Sequence, residues 1–265
     1  MNYKKFLESR FQIVDKEGKQ VPFLLNSIQE KYLLHDATGY DIILKARQQG
    51  FSSLILGMFT ADFLLKENSR SVVVADIDDN ASELLDRVKF YIKTYEEITK
   101  VKVPLKYNSK SELFNAAMNS RYTIGTAKNT EFGRSKTISN LHLSEFAFYP
   151  DPQKIIAGAG QAVVETGRLI IETTANGFND FKKLWDESVN GTMPYNPLFY
   201  KASDFYSQEF LSKKRLELKE TFNQEYPQTA QEAFLASGEF FFNQESMKYY
   251  LDNKTPKMMQ GVLYV

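Results

Sequence analysis

Residues 45 to 53 read Lys-Ala-Arg-Gln-Gln-Gly-Phe-Ser-Ser, between the apolar runs Ile42-Ile43-Leu44 and Leu54-Ile55-Leu56. A glycine and a hydroxyl residue at this spacing, between a strand and a helix, make a phosphate-binding loop of the form G-x-x-x-x-G-K-[ST]. Gly50 and Ser52 fall in place, Lys45 takes the first glycine position and Phe51 the usual lysine position, so the loop keeps its spacing and moves its cation. A triphosphate needs several backbone N–H groups aimed at its oxygens, which a helix start supplies. Gly50 lets the backbone turn tightly, and Ser52 offers a hydroxyl to the Mg2+ that bridges the outer phosphates. Lys45 is a flexible point charge, whereas Arg47 presents a planar fork to two phosphate oxygens. Lys45, Ala46, Arg47, Gln48, Gln49, Gly50, Phe51, Ser52 and Ser53 are therefore the candidate ATP-binding segment. Taken alone, they also fit a basic strand–turn–helix with no ligand.

Two later strand ends carry matching chemistry. Residues 138 to 149, Ile-Ser-Asn-Leu-His-Leu-Ser-Glu-Phe-Ala-Phe-Tyr, form an apolar run that ends at Ser144 and Glu145. An acidic residue there holds a metal and orients or deprotonates an attacking water. Glu145 is the candidate base, and Ser52, Ser144 and Glu145 are the candidate Mg2+ group, partly through water. Ser144 stands where an aspartate is usual and brings no charge. The run Leu169-Ile170-Ile171 continues into Glu172-Thr173-Thr174-Ala175-Asn176-Gly177. Thr173, Thr174 and Asn176 can bond a γ-phosphate or its water, a contact that changes on hydrolysis. Gln29 has an amide able to pair with the N6 and N7 edges of adenine. Arg134 precedes the acidic strand and can act as an arginine finger on a neighbouring subunit. A solvated glutamine and a surface arginine are the plainer readings of those two. His142 is read as a core residue.

These groups need a scaffold that brings strand ends together. Strands are expected near Ile42–Leu44, Ser71–Ala75, Arg121–Thr126, Ile138–Leu143 and Leu169–Thr174, and helices near Leu54–Lys66, Ala81–Thr99 (capped by Asn80) and Pro152–Thr166. The alternation predicts an α/β fold with a mostly parallel sheet covered on both faces. After Asn190-Gly191 the texture shifts to prolines, a charged helix over 208–220 and an aromatic-rich stretch, which predicts a small second subdomain from about residue 195. The chain has 265 residues, enough for such an arrangement, and 33 basic against 33 acidic side chains, so any nucleic-acid surface must be local. With no cysteine and two histidines, thiolate and histidine metal sites are excluded or disfavoured. No run reaches the ~18 apolar residues of a membrane span.

In order and spacing, Gln29, Lys45–Ser53, Leu143-Ser144-Glu145-Phe146-Ala147, Thr173-Thr174-Ala175-Asn176-Gly177, Gln224-Glu225-Tyr226-Pro227 and Glu232-Ala233-Phe234 resemble the ATPase domain of the large terminase subunit, the DNA-packaging motor of tailed double-stranded DNA bacteriophages. The displaced lysine is a known variant in that family. The resemblance implies a P-loop ATPase of the additional-strand type with a mostly parallel central sheet flanked by helices and a small C-terminal lid subdomain. It divides the chain into a core (1–194), a lid (195–252) and a linker (253–265) toward a nuclease domain that this chain lacks, so no DNA cleavage is expected. It further implies ATP and Mg2+ as cofactors, Gln29 as the adenine reader, Glu145 as the catalytic glutamate, Thr173, Thr174 and Asn176 as the coupling motif, and Arg134 as the trans-acting arginine. Implied partners are double-stranded DNA, the portal protein, the small terminase subunit and further copies in a ring; the net charge of zero suggests an isolated domain that is monomeric. The implied location is the host cytoplasm, docked at the procapsid portal, with no membrane. Two other functions fit the same residues: another P-loop translocase or helicase, and a non-hydrolysing nucleotide-gated assembly module.

Overall fold

The structure is a computed structural model that describes residues 1–132 and 137–235. Its strands are β1 (Gln12–Val14), β2 (Gln20–Pro22), β3 (Tyr40–Lys45), β4 (Arg70–Ala75), β5 (Leu105–Asn108), β6 (Glu112–Asn115), β7 (Ser120–Thr126), β8 (Ile138–Ser144), β9 (Val163–Thr173) and β10 (Asn196–Tyr200). Its helices are α1 (Tyr3–Arg10), α2 (Ser27–Lys31), α3 (Phe51–Leu65), α4 (Asp78–Thr99), α5 (Pro152–Gly158), α6 (Asp180–Val189), α7 (Gln208–Leu218), α8 (Phe222–Glu225) and α9 (Ala230–Leu235).

Eight strands form one sheet in the order β10-β3-β9-β8-β4-β7-β6-β5. From β10 to β7 every pairing is parallel, and β6 and β5 add an antiparallel edge. β9 lies between the loop-bearing strand β3 and the acidic strand β8, which is the additional-strand arrangement. Because side chains alternate along a strand, the two faces divide cleanly. Ile43, Val73 and Ile170 pack with the side chains of α1, α3 and α4, and Ile42, Leu44, Val72, Val74, Leu169 and Ile171 pack with those of α5, α6 and α9. Both faces are covered, so the central strands read as continuous apolar runs. Helix α3 is buried along almost its whole length, which explains why it is apolar all round rather than amphipathic.

Four local expectations are corrected. The helix expected from Ala81 starts at Asp78, with Ile77 at the cap and Asp78 and Asp79 in the first turn, where acidic side chains suit the helix dipole. Asn80 is inside it and donates to Asp76 Oδ1 at 2.6 Å. The helix expected over 152–166 ends at Gly158, and after a short 3-10 turn Val163 already belongs to β9. The β-branched pair Val163-Val164 favours the strand. The helix expected over 208–220 ends at Leu218. Asn196–Tyr200, read as the start of the second subdomain, is the edge strand β10 of the main sheet, paired in register Pro197 to Ile42. A proline is tolerated at such an edge. Residues 202 to 226 form a small core of Ala202, Tyr206, Leu211, Phe222 and Tyr226 built onto Ala46 of the loop, while Ala233 and Phe234 of α9 pack on the main sheet. The expected linker at 253–265 lies outside the described residues. Among the described residues, no helix is long and apolar enough to cross a membrane.

Candidate active site

The loop leaves β3 at Lys45 and enters α3 at Phe51, so the helix N-terminus opens at the carboxyl edge of the sheet, where ligands bind in open α/β folds. Gly50 is the cap residue and has φ +83°, a left-handed conformation that an L side chain adopts only at a cost. A Cβ there would stand 2.6 Å from Gln29 Nε2. Gln29 occupies that space because α2 begins with a capping box: Gln29 N–H donates to Asn26 Oδ1 at 2.9 Å, and Asn26 N–H donates to Gln29 Oε1 at 3.0 Å. Gln29 Nε2 then donates to the Gly50 carbonyl at 2.7 Å. In this conformation one end of the amide closes the α2 cap and the other braces the loop.

The rest of the loop divides between anchors and open positions. Gln49 is fully buried and donates to the Lys201 carbonyl at 3.1 Å. Phe51 is a core residue, 4.7 Å between ring centres from Tyr200, so its position offers backbone rather than side chain. Arg47 is largely exposed and pairs with Glu225 at 3.2 Å, while its N–H donates to the Glu225 carbonyl at 2.9 Å. Gln48 is exposed and Ala46 is buried under the C-terminal core.

Lys45 is 4 % exposed and bridges two carboxylates. Its Nζ lies 3.1 Å from Glu145 Oε1 and 3.1 Å from Glu172 Oε2. Burial opposes its charge, but the two carboxylates outweigh it and raise the lysine pKa. Glu172 was not singled out by the sequence. It is fully buried, and its Oε1 accepts from Ser52 Oγ at 2.7 Å and Ser144 Oγ at 2.8 Å, with His142 Nε2 at 3.3 Å. Burial opposes the Glu172 charge as well, but Lys45, then His142 and Ser52, hold its carboxyl well below the usual range. Glu145 moves the other way. Burial raises its pKa, Lys45 opposes the rise, and the charge of Glu172 adds to it. Two carboxylates pushed apart in this manner suit different roles, one permanently ionised and one able to exchange a proton.

Glu145 also has φ +55°, which is unusual for a non-glycine residue and is a strained geometry of the kind found at functional positions. The turn points its carboxylate at the β9 end, with Oε2 3.4 Å from Thr173 Oγ1 and 3.4 Å from the Thr174 N–H. Asn176 donates to the Ala147 carbonyl at 3.3 Å, tying the two strand ends together. Gln224 donates to the Ala175 carbonyl at 3.1 Å, so the Gln224-Glu225 pair touches both the 173–176 segment and the loop. Lys45, Ser52, Ser144, Glu145, Thr173 and Thr174 are thus gathered at one place. Arg134 lies outside the described residues. An open cleft of about 1260 Å³ runs over the site, lined by Lys45, Arg47 to Ser53, Glu145, Thr174 and Glu225. Its donors are oxygen atoms and cations, as a phosphate ester with a hard divalent cation requires. Among the described residues, no group of three or more His, Asp or Glu side chains is arranged to hold a metal by itself.

No family model matches the sequence. Solved structures do. The large terminase ATPase domain of Thermus phage P74-26 superimposes with a TM-score of 0.59 at 18 % identity, covering 76 % of this chain and 92 % of that one. The HK97 bacteriophage large terminase gives 0.62 at 19 % identity, covering 97 % of this chain and 52 % of that one. The large terminase of a thermophilic bacteriophage, solved in complex with ATP-γ-S, gives 0.55 at 12 % identity over 76 % of this chain and 51 % of that one. This chain therefore spans about half the length of the latter two. It has the fold of the ATPase domain of phage large terminases.

Proposed function

We propose that this chain is the ATPase motor domain of a viral large terminase and binds and hydrolyses ATP with Mg2+ in the cleft at the carboxyl edge of its sheet. The observation that carries the reading is the meeting of Lys45, which ends β3, and Glu145, which follows β8, near the N-terminus of α3. The N–H groups of residues 50 to 53 and the helix dipole bind the phosphates. Lys45 exchanges a carboxylate partner for phosphate oxygens. Ser52, with Ser144 and the neighbouring carboxylates, holds Mg2+, whose charge offsets that of the phosphates. Glu145 orients the attacking water and accepts its proton, favoured by its raised pKa. Thr173, Thr174 and Asn176 sense the γ-phosphate, and Gln224 relays the change to the C-terminal subdomain. That relay moves double-stranded DNA in a ring of copies on the portal, in the host cytoplasm, with Arg134 supplied in trans and the small terminase subunit as a further partner.

Steady-state phosphate release from Mg·ATP tests the reading. The unmodified chain turns over, Glu145→Gln binds nucleotide but stalls, and Lys45→Ala does neither, with a specific rate that rises with protein concentration if subunits complete one another. ATP binding without turnover at any concentration would instead favour a nucleotide-gated assembly module, and absence of binding would end the reading.

A further inference from the structure

Glu172 carries a charge where the fold itself needs none. It is the penultimate residue of β9, on the α3 face of the sheet with Ile170, and it is fully buried. A buried carboxylate is unfavourable unless paired and hydrogen-bonded, and an aliphatic residue would complete the run Leu169-Ile170-Ile171. The register pairs Glu172 with Ser144, so the two side chains stand side by side on neighbouring strands. Position 144 is where a hydroxyl replaces the acid expected at the end of β8, and the carboxylate that accepts from that hydroxyl, at 2.8 Å, comes from β9. The same Oε1 accepts the Ser52 proton at 2.7 Å. That bond fixes the direction of the Ser52 hydroxyl and leaves the oxygen lone pairs as its free end, the end a cation requires.

We propose that Glu172 is a positioning residue for the divalent cation that accompanies the nucleotide: from β9 it supplies the negative charge that Ser144 does not bring to β8, and it orients Ser52. The inference rests on the reading of the cleft as a Mg·ATP site. A bland alternative makes Glu172 only the counter-ion of Lys45, and the two differ in what they predict for the metal.

A fluorescent ATP analogue is titrated into the chain in EDTA and in Mg2+. The unmodified chain binds in both, more tightly with Mg2+. Glu172→Gln, checked for folding by circular dichroism, binds in EDTA about as before and loses roughly 10- to 100-fold of the Mg2+ enhancement, the usual effect of removing a group that supports a metal ligand. Ser144→Asp/Glu172→Gln, which returns the acid to the neighbouring strand, regains the enhancement. A folded Glu172→Gln that keeps the full Mg2+ enhancement, or loses affinity equally in both arms, overturns the inference and leaves the nucleotide site standing. If Glu172→Gln does not fold, the double variant decides: Mg2+ enhancement supports the relocated charge, and its loss refutes it. An unmodified chain that binds in neither arm removes the site reading, and the inference with it.

Discussion

Lys45→Met isolates what the buried cation does for the fold. Its Nζ lies 3.1 Å from Glu172 Oε2, and the Glu172 side chain has no exposure. Removing one partner of a buried pair costs about 3–5 kcal/mol, because the other charge is left uncompensated. The contact with Glu145 adds little, since that side chain is 30 % exposed and water can replace the lysine. Against a total stability of about 5–15 kcal/mol, and at about 2–4 °C per kcal/mol for a chain of this size, Tm falls by roughly 6–20 °C. The sign with pH follows from Glu172. Its native pKa is depressed, so it contributes stability present above the unfolded carboxylate value of about 4.3 and lost as pH falls through the lower native value. Without Lys45 that contribution shrinks, so the variant's deficit is largest at neutral pH and narrows toward about pH 4. Thermal unfolding of the unmodified chain, Lys45→Met, Glu172→Gln and the double variant, at both pH values, measures this. The double variant recovers at least half of the Lys45→Met loss. A Lys45→Met midpoint within about 2 °C of the unmodified chain at pH 7, or a deficit identical at both pH values, refutes the reasoning.

Three other outcomes follow from the same geometry. Gly50→Ala forces a side chain into a φ of +83° and against Gln29 Nε2, costing about 2–4 kcal/mol from strain and displaced hydrogen bonds; denaturant unfolding within about 0.5 kcal/mol of the unmodified chain would contradict it. Because burial raises the Glu145 pKa, the acid limb of the kcat/KM profile for ATP hydrolysis lies above the ordinary carboxylate value of about 4.3; a limb at or below that value assigns the base elsewhere. Arg47→Ala removes an exposed ion pair, with the arginine side chain 58 % exposed, and changes stability by less than about 1 kcal/mol; Tyr206→Phe, which loses the 2.7 Å bond to the Arg47 carbonyl, costs more, about 0.5–1.5 kcal/mol. Equal effects in urea unfolding would mean that the backbone clamp is not what holds the loop to the C-terminal core.

Legibility in the sequence followed the physics of each element. The strands over 42–44 and 71–75 are readable because each is a β-branched or aliphatic run whose two faces are both buried, and those over 121–126 and 138–143 because polar residues interleave with Tyr122, Ile124, Leu141 and Leu143. The loop was readable because its chemistry is local in sequence. β10 was hidden by Pro197, a poor strand residue that an edge position tolerates. β5 and β6 were hidden by short, polar sequences whose pairing with β7 is a tertiary fact. The end of the helix over 152–158 is not legible, because Val163-Val164 can continue an apolar helical face as readily as open a strand. The role of Glu172 is hidden for a different reason. Its meaning depends on the register of β9 against β8, which places it beside Ser144, and on the depth of Ser52 at the start of α3. One signal was available: a carboxylate closing the apolar run Leu169-Ile170-Ile171, in a strand whose neighbour lacks its expected acid. Gln29 is legible as an amide able to pair with adenine, but its capping box with Asn26, and the use of that box to hold Gly50, require coordinates.

The central claim is that ATP occupies the cleft between Lys45, the start of α3 and Glu145, and amide hydrogen exchange with and without Mg·ATP tests it most directly. Nucleotide bound there slows exchange in residues 47–53, with a smaller effect over 144–147 and 173–176, and leaves the cavity of about 570 Å³ around Arg70, Glu112 and Arg121 at the opposite end of the strands unchanged. Protection centred on that other cavity, or no protection of residues 47–53 at saturating Mg·ATP, would contradict the account.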